Sequence, residues 1–135
     1  MAYKIDEIEG IGPAYATKLH SFGIKTTSDL LNAGSNRENR QQLAAKTGIN
    51  ERQLLDWINM ADLFRIKGVS RQYSELLEAS GVDSIKELRN RNSENLAQKM
   101  QEVNAEKNLV RQTPSAKTVA RWIDHAQRLE PVITH

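Results

Sequence analysis

The chain carries the stretch IEGIGPAYATKLHSFGIKTTSDLL at residues 8–31, and a shift of 58 residues places it on IKGVSRQYSELLEASGVDSIKELR at residues 66–89. Similarity at a fixed distance along a chain is typical of a duplicated structural unit. The sequence therefore predicts two diverged copies of one helical unit. The identical positions are Ile8, Gly10, Tyr15, Leu19, Gly23 and Leu30, which align with Ile66, Gly68, Tyr73, Leu77, Gly81 and Leu88.

A second block of similarity follows the first in each copy. A shift of 65 residues places QLLDWINMADLF, residues 53–64, on TVARWIDHAQRL, residues 118–129. Both blocks carry apolar or small residues at helical spacing, and Trp57 aligns with Trp122. Because the shift grows from 58 to 65, the second copy is longer by seven residues, with the extra length near Lys107–Thr113.

Proline, glycine and capping residues indicate where the helices begin and end. Pro13 suits the first turn of a helix that Gly23 ends, and Gly81 repeats that stop. Capping boxes at Thr26–Asp29 and Ser84–Glu87 are predicted to open the next helix of each copy. The predicted helices lie near residues 13–22, 27–33, 37–47, 50–66, 71–80, 84–91, 93–106 and 115–130, with loops at 34–36 and 108–113 and no strand.

Composition limits the class of protein. The chain has 135 residues and no cysteine, which excludes disulfides and cysteine zinc sites and suits a reducing compartment. Its first ten residues lack the apolar run of a signal peptide, and no stretch approaches the ~20 apolar residues of a membrane span. We expect one cytoplasmic domain over residues 1–135 with a shared core, in which repeat 1 covers 1–64 and repeat 2 covers 65–135.

The charge is nearly balanced. The net charge is +2, with 19 basic and 17 acidic residues. Residues 1–63 carry 7 basic and 8 acidic side chains, whereas residues 64–135 carry 12 and 9. The dense basic field of a strong nucleic-acid-binding protein is therefore missing, and any phosphate binding is expected to be local.

The segment Ile8-Glu9-Gly10-Ile11-Gly12 resembles the turn of a helix-hairpin-helix motif. Glycine suits such a turn because the backbone turns sharply and approaches a partner closely. The residues after the turn open a helix, whose free N–H groups attract anions such as phosphate. The apolar residue between the glycines is expected to pack into the core.

The resemblance extends to whole families. The architecture is similar to that of an uncharacterised bacterial family, the domain-of-unknown-function family numbered 4332. The helix containing TTSDLL also resembles the C-terminal domain of the bacterial RNA polymerase alpha subunit. This resemblance implies an all-α fold of two diverged helix-hairpin-helix repeats fused into one compact helical domain. It also implies binding to the DNA backbone without reading of sequence.

The first hairpin departs from the nucleic-acid-binding pattern. Members that bind nucleic acid commonly carry Lys or Arg just after the last glycine, where this chain has Pro13 and Ala14. Asp6, Glu7 and Glu9 crowd the same turn and repel phosphate. We expect this hairpin to be structural or protein-facing, although its turn is kept as a candidate contact: Gly10, Ile11 and Gly12.

The second hairpin has the opposite character. Ser70 replaces its second glycine, and no acidic residue occurs between Leu63 and Ser74. Three cations beside a helix N-terminus favour a phosphate contact, with a solvated basic face as the alternative. The predicted nucleic-acid-binding residues of this hairpin are Arg65, Lys67, Gly68, Val69, Ser70 and Arg71.

The remaining chemistry-bearing residues predict no reaction. His20 and His125 have no second ligand at helical spacing, so we expect no metal site, no catalytic residue and no cofactor. Trp57 and Trp122 are expected to pack in the shared core, with the helix near 115–130 closing against the first hairpin.

Two functions stay open at this point. The first is a non-enzymatic module that binds nucleic acid, with duplex DNA as the expected form. The second is a protein-interaction or scaffold module that keeps the fold without binding nucleic acid. Neither involves a membrane. An exposed apolar patch would favour the second function.

Overall fold

The computed structural model describes residues 3–134, so the three remaining residues of the predicted domain, Met1, Ala2 and His135, lie outside the described part. Within it the chain is compact and all-helical and forms no strand, which confirms the predicted fold class. A short 3-10 helix at Ile5–Glu7 precedes eight α-helices: α1 Pro13–His20, α2 Thr27–Ala33, α3 Arg37–Thr47, α4 Glu51–Leu63, α5 Arg71–Ala79, α6 Ile85–Leu88, α7 Ser93–Lys107 and α8 Ala116–Arg128.

Two helices end three residues earlier than the sequence predicts. The helix predicted to reach Ile66 ends at Leu63, because the N–H groups of Arg65 and Ile66 donate to the carbonyls three residues back and tighten the chain into a turn. The helix predicted over residues 84–91 spans only Ile85–Leu88.

The two predicted capping boxes differ. Thr26 Oγ1 accepts a hydrogen bond from the Asp29 N–H at 3.1 Å, and Asp29 Oδ2 accepts one from the Thr26 N–H at 3.1 Å, so the first box is complete. Ser84 Oγ accepts from the Glu87 N–H at 3.3 Å, but the carboxylate of Glu87 lies 3.6 Å from the Arg91 guanidinium. The second box is therefore only half formed, because Arg91 draws the acid away from the helix start.

The buried apolar residues form two clusters, and the prediction of one shared core is wrong. The members of the first cluster lie between Ile5 and Phe64 in the sequence, and those of the second lie between Leu63 and Ala126. Leu63 and Phe64 are consecutive residues at the end of α4, yet they belong to different clusters. Each half of the chain is therefore packed around its own apolar centre. We refer to residues 3–64 as the first half and to residues 65–134 as the second half.

The position of α8 differs from the prediction that it closes against the first hairpin. It packs on α6 and α7, and Trp122 lies in the second cluster, which contains no residue from the first 25. The tail after α8 returns to the first half instead. Val132 and Ile133 pack against the first cluster, and the Thr134 N–H donates to the Ser35 carbonyl at 2.7 Å.

The described residues that precede the 3-10 helix pair with the start of α2. The Thr27 N–H donates to the Tyr3 carbonyl at 2.7 Å, and Lys4 forms a single antiparallel bridge with Thr26. No helix in residues 3–134 is long and apolar enough to cross a bilayer.

Candidate functional site

Two glycine turns of the same conformation precede α1 and α5. Gly10 in the first turn (turn 1, residues 8–12) has φ 96°, and Gly68 in the second turn (turn 2, residues 66–70) has φ 94°. These left-handed values favour glycine because a Cβ would meet the backbone. Ile11 and Val69 are buried, as the sequence predicted for the apolar residue that holds each turn.

A tryptophan of the same half covers each turn glycine. A Cβ on Gly10 would lie 3.1 Å from Trp57 Nε1, and a Cβ on Gly68 would lie 3.3 Å from Trp122 Nε1. The close approach that these two glycines permit is therefore made by an indole of the chain itself. The two tryptophans also pack against Tyr15 and Tyr73, with ring centroids 5.0 and 5.4 Å apart.

The last position of each turn faces open space. Gly12 has an extended backbone with φ −82°, and a Cβ added there would meet no atom within 4 Å. Ser70 holds the matching position with φ −123°. Serine therefore replaces glycine here without backbone strain, which explains why turn 2 keeps its shape.

The helices that follow these turns begin without a capping side chain. The six other helices begin with a side-chain cap, namely Thr26, Asn36, Asn50, Ser84, Asn92 and Ser115. At α5 the N–H groups of Arg71, Gln72 and Tyr73 have no partner in residues 3–134. At α1 Pro13 has no N–H, so turn 1 offers fewer donors than turn 2.

Two of the three cations predicted in and beside turn 2 have partners within the chain. Arg65 is half-buried, donates to Asp62 Oδ1 at 3.0 Å and donates to the Glu130 carbonyl at 2.9 Å. Lys67 is exposed, and its ammonium has no partner in the described part of the chain. Its backbone N–H donates to His125 Nδ1 at 3.2 Å.

Arg71, the first residue of α5 after turn 2, is bound by an acid of turn 1. Its Nε donates to Glu9 Oε2 at 2.9 Å, and Glu75 Oε1 lies 3.8 Å from the same nitrogen. The hydrogen bond from Arg71 lowers the pKa of Glu9, and the same bond raises the pKa of Arg71. Burial, together with the charge of Glu9, raises the pKa of Glu75. Of the acidic residues at turn 1, Glu9 therefore contacts the basic region at turn 2.

A cleft of about 990 Å³ lies between turn 2 and α8. Lys67 and Gly68 line one wall, and Arg121 and His125 line the wall formed by α8. Sequence reasoning missed the α8 residues, although Arg121, His125 and Arg128 recur at helical spacing beside Trp122. That spacing was the available signal. The members of the cleft are Lys67, Gly68, Tyr73, Gln101, Gln112, Thr113, Pro114, Ser115, Thr118, Arg121, Trp122, Asp124, His125 and Arg128.

The cations of this cleft are not all free. Arg128 lies 3.2 Å from Asp124, so the two charges offset each other. Arg121 is exposed, and its guanidinium has no partner in residues 3–134. Within that same range no group of three or more metal-binding side chains occurs.

A known protein family matches most of the chain. The family described as a domain of unknown function (DUF4332) matches residues 9–129. The chain belongs to the DUF4332 family. The match includes all eight α-helices, all of turn 2 and all of turn 1 except Ile8, so it extends across both halves of the chain. No curated protein and no solved structure matches the chain.

Proposed function

We propose that this DUF4332 chain consists of two diverged helix-hairpin-helix units and binds the phosphate backbone of nucleic acid without reading its sequence. Turn 2 and the start of α5 form the main contact. The observation that supports this proposal is the pattern of helix starts. Side chains cap six of the eight helices, whereas α1 and α5, which follow the glycine turns, are left open.

Open helix N-termini suit phosphate oxygens. The first N–H groups of a helix have no partner inside it, and the helix dipole favours negative charge at that end. At α5 three such N–H groups follow turn 2, in which Lys67 and Ser70 are exposed and the Lys67 ammonium has no partner among residues 3–134. Charge-assisted hydrogen bonds from these donors are the contacts expected with a phosphodiester.

The two turns contribute unequally. Pro13 removes one donor from α1, and the carboxylates of Asp6 and Glu7 are exposed beside it. Turn 1 therefore does not hold phosphate in this proposal. It acts on turn 2, because Glu9 neutralises Arg71 until a phosphate competes for the guanidinium.

The test is duplex DNA binding by fluorescence anisotropy at two salt concentrations. We expect weak binding at low salt, a loss of affinity as salt rises, and equal affinity for unrelated sequences. Lys67→Ala should weaken binding to every sequence and reduce the salt slope by about 1. Lys99→Ala removes an exposed charge of α7 that lies outside the cleft and serves as the matched control. Absence of binding at low salt, or equal loss in both variants, would contradict the proposed site.

A protein-interaction module is the second candidate. It is favoured by two large apolar side chains in and just after α1, since Tyr15 is 37% exposed and Phe22 is 44% exposed. Arg65 and Arg71 are also paired with acidic side chains, so the region around turn 2 has less free positive charge than its sequence indicates. This candidate would take the place of the first if DNA binding is absent while Phe22→Ser abolishes binding of a partner protein.

A further inference from the structure

We infer that the cleft between turn 2 and α8 binds a nucleoside monophosphate, with the phosphate between Lys67 and Arg121 and the base over the apolar floor. The inference does not depend on binding of duplex DNA. The cleft is about 990 Å³, at the upper end of the range of small-molecule sites.

One wall of the cleft is formed by the connection between α7 and α8, which is five residues longer than the matching connection of the first half. Three residues connect α3 to α4, whereas eight residues connect α7 to α8. Gln112 and Thr113 from this longer connection line the cleft, followed by Pro114 and Ser115. The connection in the first half is too short to supply equivalent residues.

This wall is held in place before any ligand binds. Asn104 Oδ1 accepts hydrogen bonds from the N–H groups of Leu109 and Val110 at 2.8 and 2.9 Å. Its amide nitrogen donates to the Val110 carbonyl at 3.0 Å. The Tyr73 hydroxyl donates to the Gln112 carbonyl at 3.2 Å, which ties the connection to α5. A wall ordered in advance lowers the entropy cost of binding.

The charges of the cleft fit a phosphate monoester. Lys67 and Arg121 are unpaired among the described residues, whereas Arg128 is offset by Asp124. The free charge is thus two positive units. A phosphate monoester carries roughly −1.5 to −2 at neutral pH, whereas a backbone diester carries a single negative charge. The cleft therefore matches a terminal or free phosphate better than a phosphate inside a strand.

The rest of the lining fits a base and a sugar. Tyr73, which is half-buried, forms most of the apolar floor, and Trp122 and Pro114 are buried and reach the cleft only at its base. An aromatic ring on an apolar floor suits the flat face of a base. The amides of Gln101 and Gln112 have donors and acceptors for a base edge, and the hydroxyls of Ser115 and Thr118 suit a ribose. Two cations, a flat apolar floor and neutral amides together describe a nucleotide.

The test uses the full chain with Trp57→Phe, which leaves Trp122 as the only tryptophan. Adenosine 5′-monophosphate should change the Trp122 fluorescence in a saturable way. Ribose 5-phosphate should bind more weakly because it lacks a base, and adenosine should bind more weakly because it lacks the phosphate. No saturable change, or equal competition by inorganic phosphate or by adenosine, would overturn the inference.

Arg121→Ala should weaken this binding about tenfold, the usual effect of losing one charge-assisted hydrogen bond. Arg111→Ala removes an exposed cation of the same connection that does not line the cleft, and its affinity should equal that of the parent. Both variants must melt like the parent. Equal affinities of the two variants would overturn the inference.

A further arm distinguishes the source of the nucleotide. One short single strand is used with and without a 5′-phosphate as a competitor of the bound nucleotide. Competition by the phosphorylated strand alone would assign the site to strand ends, and no competition by either would assign it to free nucleotides.

Discussion

Glu9 and Arg71 stand 62 positions apart in the chain and are joined by a hydrogen bond of 2.9 Å from Arg71 Nε to Glu9 Oε2. Each belongs to a different glycine turn or to the helix start that follows it. The contact therefore couples the acidic turn to the basic one. The carboxylate neutralises the positive charge of the guanidinium, so Arg71 attracts a phosphate only weakly until Glu9 is displaced.

Glu9→Gln should tighten the binding of duplex DNA at low salt, because Arg71 is released and one repelling charge is lost. The melting temperature should change little, since exposed ion pairs contribute only about 0–1 kcal/mol. Anisotropy titration against a labelled duplex measures the affinity. Glu38→Gln, on the exposed surface of α3, makes the same change of net charge elsewhere. Equal gains in the two variants would show that net charge, and not the Glu9–Arg71 contact, controls the affinity.

Trp57→Ala and Trp122→Ala should each lower the free energy of unfolding by about 3–5 kcal/mol, because each removes a large buried ring. Trp57 is 3% exposed and Trp122 is 4% exposed. Since the two rings lie in separate clusters, their effects should add to within about 0.5 kcal/mol in the double variant. Urea denaturation measures the free energy of unfolding of the two single variants and of the double variant. A loss below about 1 kcal/mol for either single variant would contradict its buried role.

Gly10→Ala should destabilise the fold by more than about 1 kcal/mol, because the φ of 96° strains a side chain and its Cβ would press on Trp57. Gly12→Ser should change the stability by only a few tenths of a kcal/mol, since Gly12 has an extended backbone and open space around it. Denaturant melts of the two variants make the comparison. Equal losses would contradict the different roles of the two glycines.

Asp29 makes the stability depend on pH at the start of α2. Hydrogen bonds donated by the N–H groups of Lys25 and Thr26 lower the pKa of Asp29 below its ordinary value of 3.8. A carboxyl whose pKa is lowered by folding adds stability above its unfolded pKa and loses it as the pH falls through the folded value. Asp29→Ala should therefore cost about 1 kcal/mol at neutral pH and progressively less below pH ~4. Melts of both proteins from pH 7 to pH 3 give this difference, and a difference that stays constant would show that the charge of Asp29 is not involved.

The sequence predicted the elements well because their signals are local. The spacing of apolar residues placed all eight helices, and residues such as Pro13, Thr26 and Asn50 marked helix starts that the structure shows. Their ends were harder to predict. α4 stops three residues early, because tight turns at its end depend on how the chain continues into turn 2.

The candidate site could be predicted only in part. The aligned glycines led to both turns, and the cations after Leu63 led to turn 2. The cleft was missed because α8 reaches turn 2 only through folding, where the Lys67 N–H meets His125 at a separation of 58 residues. The extra length near Lys107–Thr113 was visible in the sequence, but the position of Gln112 and Thr113 in a wall of the cleft was not.

The sequence by itself determined the all-helical fold, the positions of the turns and the identity of the residues that hold them, since helix propensity, capping and left-handed glycines act over a few neighbouring residues. Only the tertiary structure decided how charges and apolar faces are paired. It divided the core into two clusters at Leu63 and Phe64, and it brought Glu9 to Arg71. The stretch from Leu63 to Ser74 contains no acid in sequence, yet Glu9 lies beside it in space, because the packing of distant segments and not their order along the chain sets the electrostatics of a surface.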